Sequence, residues 1–175
     1  DYLKEKGIQD DLLFYLPFME DTPNQKSIPK YEERNHMVTI GSFIHDPNVD
    51  GIRYLKENIW PLVRKKLPDV EMHIYGSYPT SKIEQLTNLN EGFIVKGWAD
   101  DVSTVMSKAR VCLSPLRFGA GLKGKFIDAM RMGTPSVTTQ IGSEGMPQGE
   151  GWPGFISNSP NEMANKAVLL YNEKE

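Results

Sequence analysis

The stretch RVCLSPLRFGAGLKGKFIDAMRMGTP, residues 110–135, decides the fold because it predicts a strand, a glycine-rich loop and a helix in succession. The apolar run at residues 111–113 is typical of a buried parallel strand, and Pro115 ends it. Small residues at 119–121 give a loop, and apolar side chains follow at helical spacing, namely Leu122, Phe126, Ala129 and Met130. Gly133 ends the predicted helix.

Three cations surround the start of this predicted helix: Arg117 before the loop, Lys123 in the first turn, and Lys125 after it. A helix start has unpaired backbone N–H groups and carries about half a positive charge, so cations there destabilise the helix unless an anion binds. Small residues let an anion approach the backbone closely. The pattern favours a phosphate or diphosphate site, and Asp128 lies where it could accept hydrogen bonds from sugar hydroxyls.

A second interpretation of these charges requires no ligand. Lys125 and Asp128 are three residues apart and could form a pair on an exposed helix face, worth a few tenths of a kcal/mol. The loop matches neither the Walker A motif nor the dinucleotide fingerprint GxGxxG, so the spacing by itself leaves both interpretations open.

Length and composition restrict the class of protein. The 175 residues are enough for one domain with a hydrophobic core, and 39% hydrophobic with 25% charged residues is ordinary for a globular fold. A net charge of −3 does not favour nucleic acid as a partner. The single cysteine, Cys112, excludes an intrachain disulfide and lies in an apolar segment, so we expect a buried thiol. No apolar run reaches the ~18 residues of a membrane span.

Apolar segments and turn residues predict that strands alternate with helices along the chain. Six strands are expected at residues 37–41, 70–75, 93–95, 111–113, 136–139 and 155–157. A helix is expected after residue 48, with an apolar face formed by Ile52, Leu55, Ile59, Leu62 and Val63. Further helices are expected at 80–87, up to Lys108 with Asp101 or Ser103 as the cap, after the glycine loop, and from Ser159 onward, where serine caps and Pro160 opens a helix. Residues 1–8 predict the end of a helix, 12–18 a short strand and 20–35 a linker.

This alternation predicts an α/β fold, a Rossmann-like, doubly wound parallel sheet of about six strands with helices on both faces. Ligands of such sheets bind at the carboxyl ends of the strands. Glycines follow four of the predicted strands, at Gly41, Gly76, Gly97 and Gly119. We therefore expect one pocket at that edge of the sheet.

Five segments carry a resemblance to a known family: IGSFIHDPNVDGIRYLKENIWPLV from residue 40, HIYGS from 73, VKGWADDV from 95, SPLRFGAGLKGKFIDAMRMGTPSVTT from 114 and IGSEGM from 141. In this order they resemble the C-terminal, donor-binding domain of the group 1, or family 4, retaining glycosyltransferases, which have the two-domain GT-B fold. The resemblance implies that residues 36–175 bind a nucleotide-diphospho-sugar. It also implies that residues 1–35 are the tail of an N-terminal domain and the interdomain linker.

The resemblance implies an activity for the full-length protein, a hexosyltransferase-type transfer of a sugar to an acceptor with retention. The catalytic residues and the acceptor site are expected in the N-terminal domain, so this stretch alone should be inactive. The expected partners are the nucleotide-sugar and that domain, and not nucleic acid. The expected location is cytoplasmic, with peripheral membrane association left open because many relatives use lipid-linked acceptors.

No metal or other cofactor is implied for this site. The sequence has no Asp-x-Asp motif, and His36, His45 and His73 do not show the spacing of metal ligands. The positive charge for the diphosphate is therefore expected from side chains and from the helix start.

The family carries two acidic residues eight positions apart around this helix start. The second corresponds to Asp128, which the resemblance assigns to the ribose of the nucleotide. The first corresponds to Ala120, which has no carboxylate for the transferred sugar. The family's usual arginine after the first strand corresponds to Ser42, so we expect the missing charge to come from Lys123, with Lys125 or Arg117.

The remaining predicted donor-site residues follow the strand ends. The resemblance places the base near the ends of the second and third strands, at Tyr75, Gly76, Lys96 and Gly97. It places the diphosphate against the backbone of Gly121 and Leu122, and Gly119 in the same loop is a further predicted donor-site residue. Gly41 follows the first strand, and His45 beyond it is a candidate to face the pocket.

Two other functions stay open from the sequence. One is a non-catalytic nucleotide-sugar-binding module of the same fold, which Ala120 and Ser42 favour. The other is an unrelated doubly wound interaction domain, such as a response-regulator-like module. That class needs acidic residues clustered after the first strand, and residues 41–43, Gly-Ser-Phe, do not provide them.

Overall fold

The computed structural model describes residues 2–14, 19, 21, 28–146 and 151–173. Six strands form one sheet: β1 (His36–Ile40), β2 (Met72–Tyr75), β3 (Phe93–Gly97), β4 (Ala109–Ser114), β5 (Ser136–Thr138) and β6 (Gly154–Ile156). All neighbouring strands are parallel, in the order β3-β2-β1-β4-β5-β6. The predicted doubly wound sheet is confirmed, and the winding reverses between β1 and β4, where such folds leave a crevice at the carboxyl ends.

Helices connect the strands: α1 (Tyr2–Glu5), α2 (Asp46–Tyr54), α3 (Trp60–Lys66), α4 (Ser81–Glu84), α5 (Val102–Ser107), α6 (Gly124–Arg131) and α7 (Pro160–Asn172). A π-helical turn at Leu55–Ile59 joins α2 and α3 into one continuous helix. The turn is wide because Pro61, at the start of α3, has no backbone N–H to donate. The helix predicted after residue 48 is present, but it begins slightly earlier, because α2 starts at Asp46 with Pro47 in its first turn.

Side chains of the central strands alternate between two apolar layers. On one face, Met37 of β1 and Leu113 of β4 pack with Trp60 in a cluster that α2, α3 and α7 complete. On the other face, Val38 and Cys112 pack with residues of α5 and α6. The predicted burial of the Cys112 thiol is confirmed. Because both faces of the central strands are covered, a polar site is left to the loops at the carboxyl edge.

The loops that follow β1 and β2 touch through their backbones. A Cβ atom at Gly76 would lie 2.1 Å from the carbonyl oxygen of Gly41 and 2.7 Å from the ring of Phe43. A Cβ atom at Gly41 would lie 2.6 Å from the side-chain amide carbon of Asn48. Only glycine fits at these two positions, which explains why glycines follow both strands.

Arg34 ties the segment before β1 to the C-terminal end of α6. Its guanidinium donates hydrogen bonds to the carbonyl oxygens of Pro29, Met132 and Gly133 at 2.9–3.1 Å. The bonds to Met132 and Gly133 satisfy backbone acceptors at the end of α6, where the helix itself cannot. They tie the C-terminal end of α6 to the segment before β1.

Several local predictions are corrected or lie outside the described residues. The strand predicted at 12–18 does not begin at Leu12, because Asp10–Leu12 forms a 3₁₀ turn, and residues 15–18 lie outside the described residues. Of the predicted linker, residue 20 and residues 22–27 also lie outside them. Of the helix predicted at 80–87, the structure forms α4 at Ser81–Glu84.

The predicted helix caps have mixed outcomes. Asp101 caps α5 as predicted, with its carboxylate accepting hydrogen bonds from the N–H groups of Ser103 and Thr104. Ser159 precedes α7 as expected, but its side chain makes no capping hydrogen bond. Among the described helices, none is both long and apolar enough to cross a membrane.

Candidate functional site

A cavity of about 530 Å³ opens between the carboxyl ends of β1 and β4. The loop after β1 forms one wall, the glycine loop and the start of α6 form another, and Val102 at the start of α5 contributes to the lining. The predicted residues that line it are Gly41, His45, Gly119, Ala120, Leu122, Lys123, Lys125 and Asp128. The structure thus brings the first strand end and the glycine loop to one cavity, at the place where such folds bind ligands.

Lys125 is partly buried in the wall of this cavity. Its Nζ donates hydrogen bonds to Oδ1 of Asn48 at 2.8 Å and to Oγ of Ser114 at 3.3 Å. Both acceptors are uncharged, and burial lowers the pKa of Lys125 to about 8. Because burial disfavours its charge, this ammonium group is stabilised when an anion binds beside it.

The two acceptors are themselves held in place. The side-chain amide of Asn48 donates a hydrogen bond to the carbonyl oxygen of Ser42 at 2.9 Å. The hydroxyl of Ser114 accepts one from Thr39 at 3.1 Å. Lys125 therefore has a fixed position, and Ser42 contributes its backbone to this network.

Lys123 does not lie in the first turn of the helix, and that prediction was wrong. It is the N-cap of α6 with an extended backbone, because the helix begins at Gly124, and Lys125 takes the first-turn position instead. Its side chain is 9% exposed, and its Nζ lies 3.3 Å from Oε2 of Glu144, a residue of the turn after β5.

Arg117 lies on the outer side of α2 and does not line the cavity. Its Nε donates a hydrogen bond to Asp50 at 2.8 Å, and its terminal nitrogen donates a second to the same carboxylate. The guanidinium also stacks on Tyr54, 4.6 Å from the ring centre. The pairing with Asp50 raises the pKa of Arg117. Its predicted part in donor binding stays a prediction without geometric support.

Asp128 lies one turn into α6 and lines the cavity. Its Oδ1 is 3.8 Å from the guanidinium of Arg131, and the ammonium of Lys125 bonds to Asn48 and Ser114. Ala120 lines the same cavity and contributes only a methyl group.

The residues predicted for the base lie away from this cavity. Tyr75 lines a separate cavity of about 650 Å³ with His36, His73 and Lys108, because the alternation of β2 turns its side chain toward a sheet face. Gly76 is buried between loops and Lys96 is exposed. Gly97 lies at the end of β3, where its carbonyl oxygen accepts a hydrogen bond from the N–H of Gly76. Their role stays a prediction.

Gly121 has a backbone φ of +74°, in the region that glycine favours, and lies in the exposed part of the glycine loop. It is not among the residues that line the cavity. The small residue at this position lets the loop turn sharply before α6. The contact of its backbone with a diphosphate stays a prediction.

Sequence reasoning missed three polar residues of this region: Asn48, Ser114 and Glu144. The contact between Asn48 and Lys125 spans 77 residues, so no local spacing reveals it. Glu144 lies in IGSEGM, one of the segments that carried the family resemblance. As the charged residue of that segment, it could have been recognised from the sequence as a candidate site residue.

The arrangement is suited to hold an anion. Two lysines and the positive end of α6 meet at a wall built partly from small residues. In the part of the chain that the structure describes, no group of three or more His, Cys, Asp or Glu side chains could hold a metal ion.

The fold is that of one half of a GT-B glycosyltransferase. A mutant of TarM from S. aureus, solved with fondaparinux, alpha-GlcNAc-glycerol and UDP, has a TM-score of 0.75 at 20% identity, covering 98% of this chain and 34% of that chain. HepE from Anabaena, solved with UDP and glucose, has a TM-score of 0.57 at 14% identity, covering 79% of this chain and 38% of that chain.

The chain belongs to the family described as glycosyl transferases group 1, whose sequence profile matches residues 34–173. An uncharacterized 44.6 kDa protein in the cps region of Klebsiella pneumoniae is 26% identical, covering 82% of this chain and 39% of that protein. The chain thus spans 34–39% of the length of these relatives.

Proposed function

We propose that this chain is the donor-binding half of a glycosyltransferase that transfers a sugar from a nucleotide-diphospho-sugar to an acceptor with retention of configuration. The observation that carries the proposal is the partly buried ammonium of Lys125, held by neutral partners in the wall of the cavity. Membership of the family makes the diphosphate of a sugar donor the expected anion. That TarM and HepE were both solved with UDP supports a nucleoside diphosphate as the ligand here.

The proposed chemistry is electrostatic stabilisation of the leaving group. Negative charge grows on the diphosphate as the glycosidic bond breaks, and fixed cations aimed at that charge lower the barrier. Lys125, Lys123 and the N-terminus of α6 supply this positive charge. These groups can neutralise the diphosphate without a metal ion, so we propose that donor binding is independent of divalent cations.

The proposed orientation of the nucleotide follows from the sheet. Asp128 accepts hydrogen bonds from the ribose hydroxyls, one turn beyond the diphosphate. The base extends from β1 toward the end of β3 at Gly97, two strand spacings or about 10 Å away. This span is comparable to the reach from a diphosphate across its ribose to the base.

The acceptor site and the catalytic residues are proposed to lie in an N-terminal domain of the full-length protein. A non-catalytic nucleotide-sugar-binding module is the second candidate, which the methyl group of Ala120 in the cavity lining favours. The two candidates differ in what happens to the donor after it binds.

The test is nucleoside diphosphate release by the full-length protein, measured with UDP-, GDP- and ADP-sugars in the presence and absence of a glycan acceptor fraction. The transferase proposal predicts acceptor-dependent release, and proton NMR of the product should show the anomeric configuration of the donor. Binding of a nucleotide-sugar without any release would instead favour the non-catalytic module.

A further inference from the structure

We infer that Glu144 is the carboxylate that accepts hydrogen bonds from the hydroxyl groups of the transferred sugar. The inference rests on the proposed function and adds a residue to that site. Among the described residues that line the cavity, Asp128 carries the only carboxylate, and Ala120 offers a methyl group. A sugar held beyond the diphosphate needs an acceptor for its hydroxyls, and Glu144 is a carboxylate that the structure pairs with Lys123, a residue of the cavity wall.

Glu144 lies beside the second cation of the site. Its Oε2 is 3.3 Å from Nζ of Lys123, which lines the cavity. The lysine side chain is 9% exposed, whereas the glutamate side chain is 55% exposed. The carboxylate is thus reachable from solvent at the rim, while its partner is withdrawn into the wall.

The turn that carries Glu144 is fixed to the cavity wall at two points. The hydroxyl of Thr139 donates a hydrogen bond to the carbonyl oxygen of Leu116 and accepts one from the N–H of Gly142 at 3.1 Å. On the other side of Glu144, the turn approaches the glycine loop so closely that a Cβ atom at Gly145 would lie 3.2 Å from Cδ2 of Leu122. Leu116 and Leu122 both line the cavity, so Glu144 is held at a constant position relative to it.

The pair between Lys123 and Glu144 is unfavourable for a site that only binds diphosphate. A carboxylate beside the cation repels the anion and competes for the ammonium group, and an ion pair whose carboxylate is half exposed contributes little to stability. A diphosphate that binds Lys123 replaces Glu144 as its partner. The ionised carboxylate is acceptor-only, and it then faces a group of sugar hydroxyls that can donate strong charge-assisted hydrogen bonds.

The experiment compares two affinities in the same protein. Dissociation constants are measured by calorimetry for UDP, GDP and ADP, and for UDP-glucose, UDP-galactose, UDP-N-acetylglucosamine, GDP-mannose and ADP-glucose. The ratio of the constant for a nucleoside diphosphate to that for its sugar conjugate reports the contribution of the sugar. Wild type, Glu144→Gln and Glu144→Asp are compared with Glu91→Gln, a control whose side chain is 53% exposed and lies 3.8 Å from Lys56.

We expect Glu144→Gln to bind the free diphosphate as tightly as wild type or more tightly, because a repelling charge is removed. The ratio for the preferred sugar should fall at least about fivefold, since charge-assisted hydrogen bonds are lost. Glu144→Asp should also lower the ratio, because the charge is kept and the reach is shortened. Glu91→Gln should leave it unchanged.

The outcomes separate this inference from the proposed function. A ratio within twofold of wild type in both Glu144 variants, with nucleotides still binding, would overturn the role of Glu144 alone. Wild-type protein that binds none of these nucleotides would overturn the proposed function itself. Thermal melts of each variant show whether a lost affinity comes from unfolding.

Discussion

The Nζ of Lys125 lies 2.8 Å from Oδ1 of Asn48, and this contact joins the loop after β1 to the first turn of α6. The two residues are 77 positions apart, and the reversal of the sheet between β1 and β4 brings them together. A Cβ atom at Gly41 would exclude the side chain of Asn48, so the glycine, the amide and the lysine form one unit. We propose that the diphosphate binds at that unit.

Lys125→Met should weaken nucleoside diphosphate binding by at least about tenfold, since a hydrogen bond to a charged group contributes roughly 1.5–3 kcal/mol. Lys123→Met should have a smaller effect, because Glu144 already opposes that charge. Arg117→Met should have none, because Arg117 is paired with Asp50 outside the cavity. Calorimetric titration of the three matched variants gives this order, and an effect confined to Arg117→Met would contradict the assignment.

Binding of a nucleoside diphosphate should weaken above about pH 8. The pKa of free Lys125 is lowered to about 8 by burial, and a bound anion raises it again. Near pH 7 the lysine is already charged. Above pH 8, binding must take up a proton, so affinity falls by about thirtyfold between pH 7 and 9.5 for a bound lysine that stays protonated. Titrations in buffers of different ionisation enthalpy measure that proton uptake. Lys125→Arg should remove it, since arginine stays charged.

Gly76→Ala should destabilise the fold by about 3 kcal/mol, because the new Cβ would lie 2.1 Å from the carbonyl oxygen of Gly41. Neither backbone can move without separating the loops after β1 and β2. Gly124→Ala is the matched control, since no atom lies within 4 Å of a Cβ there. It should be neutral or stabilise α6 by up to about 1 kcal/mol. Urea denaturation measures both, and equal midpoints would be evidence against the close loop contact.

Stability should fall as the pH drops from 6.5 toward 4. Burial and the neighbouring His73 lower the pKa of His36 to about 4, whereas an unfolded histidine titrates near 6.5. In this window the unfolded chain binds more protons than the native chain, which costs up to about 3 kcal/mol of unfolding free energy. His36→Gln should flatten this acid limb of the stability curve. The exposed His45→Gln should keep it, and an unchanged limb in His36→Gln would argue against burial as its cause.

The sheet could be predicted from the sequence because its strands are short apolar runs, and glycines directly follow β1 and β2, at Gly41 and Gly76. The start of α6 was predicted too early in the sequence. Lys123 was assigned to the first turn but is the N-cap, because Lys123 and Gly124 both suit a loop and a helix. The roles of the cations could not be predicted. The side chain of Arg117 is held by its hydrogen bonds to Asp50 in α2, and that of Lys125 by its hydrogen bond to Asn48. Neither contact is local in sequence.

The base site could not be located for a similar reason. A glycine at a strand end indicates the correct edge of the sheet, as at Gly97, but the direction of a side chain depends on its register in the strand. Tyr75 is the last residue of β2, and its ring lines a cavity on the sheet face together with His73. A sequence pattern shows that such residues are near one another along the edge, and the structure decides which cavity each one lines.

The measurement that tests the central claim most directly is calorimetric titration of the wild-type protein and Lys125→Met with UDP, GDP and ADP, first without and then with Mg²⁺. We expect wild type to bind one of these nucleotides equally well with and without the metal, and Lys125→Met to lose at least about tenfold in affinity. Binding that is unchanged in a folded Lys125→Met, or that appears only with Mg²⁺, would contradict a diphosphate site built on Lys125.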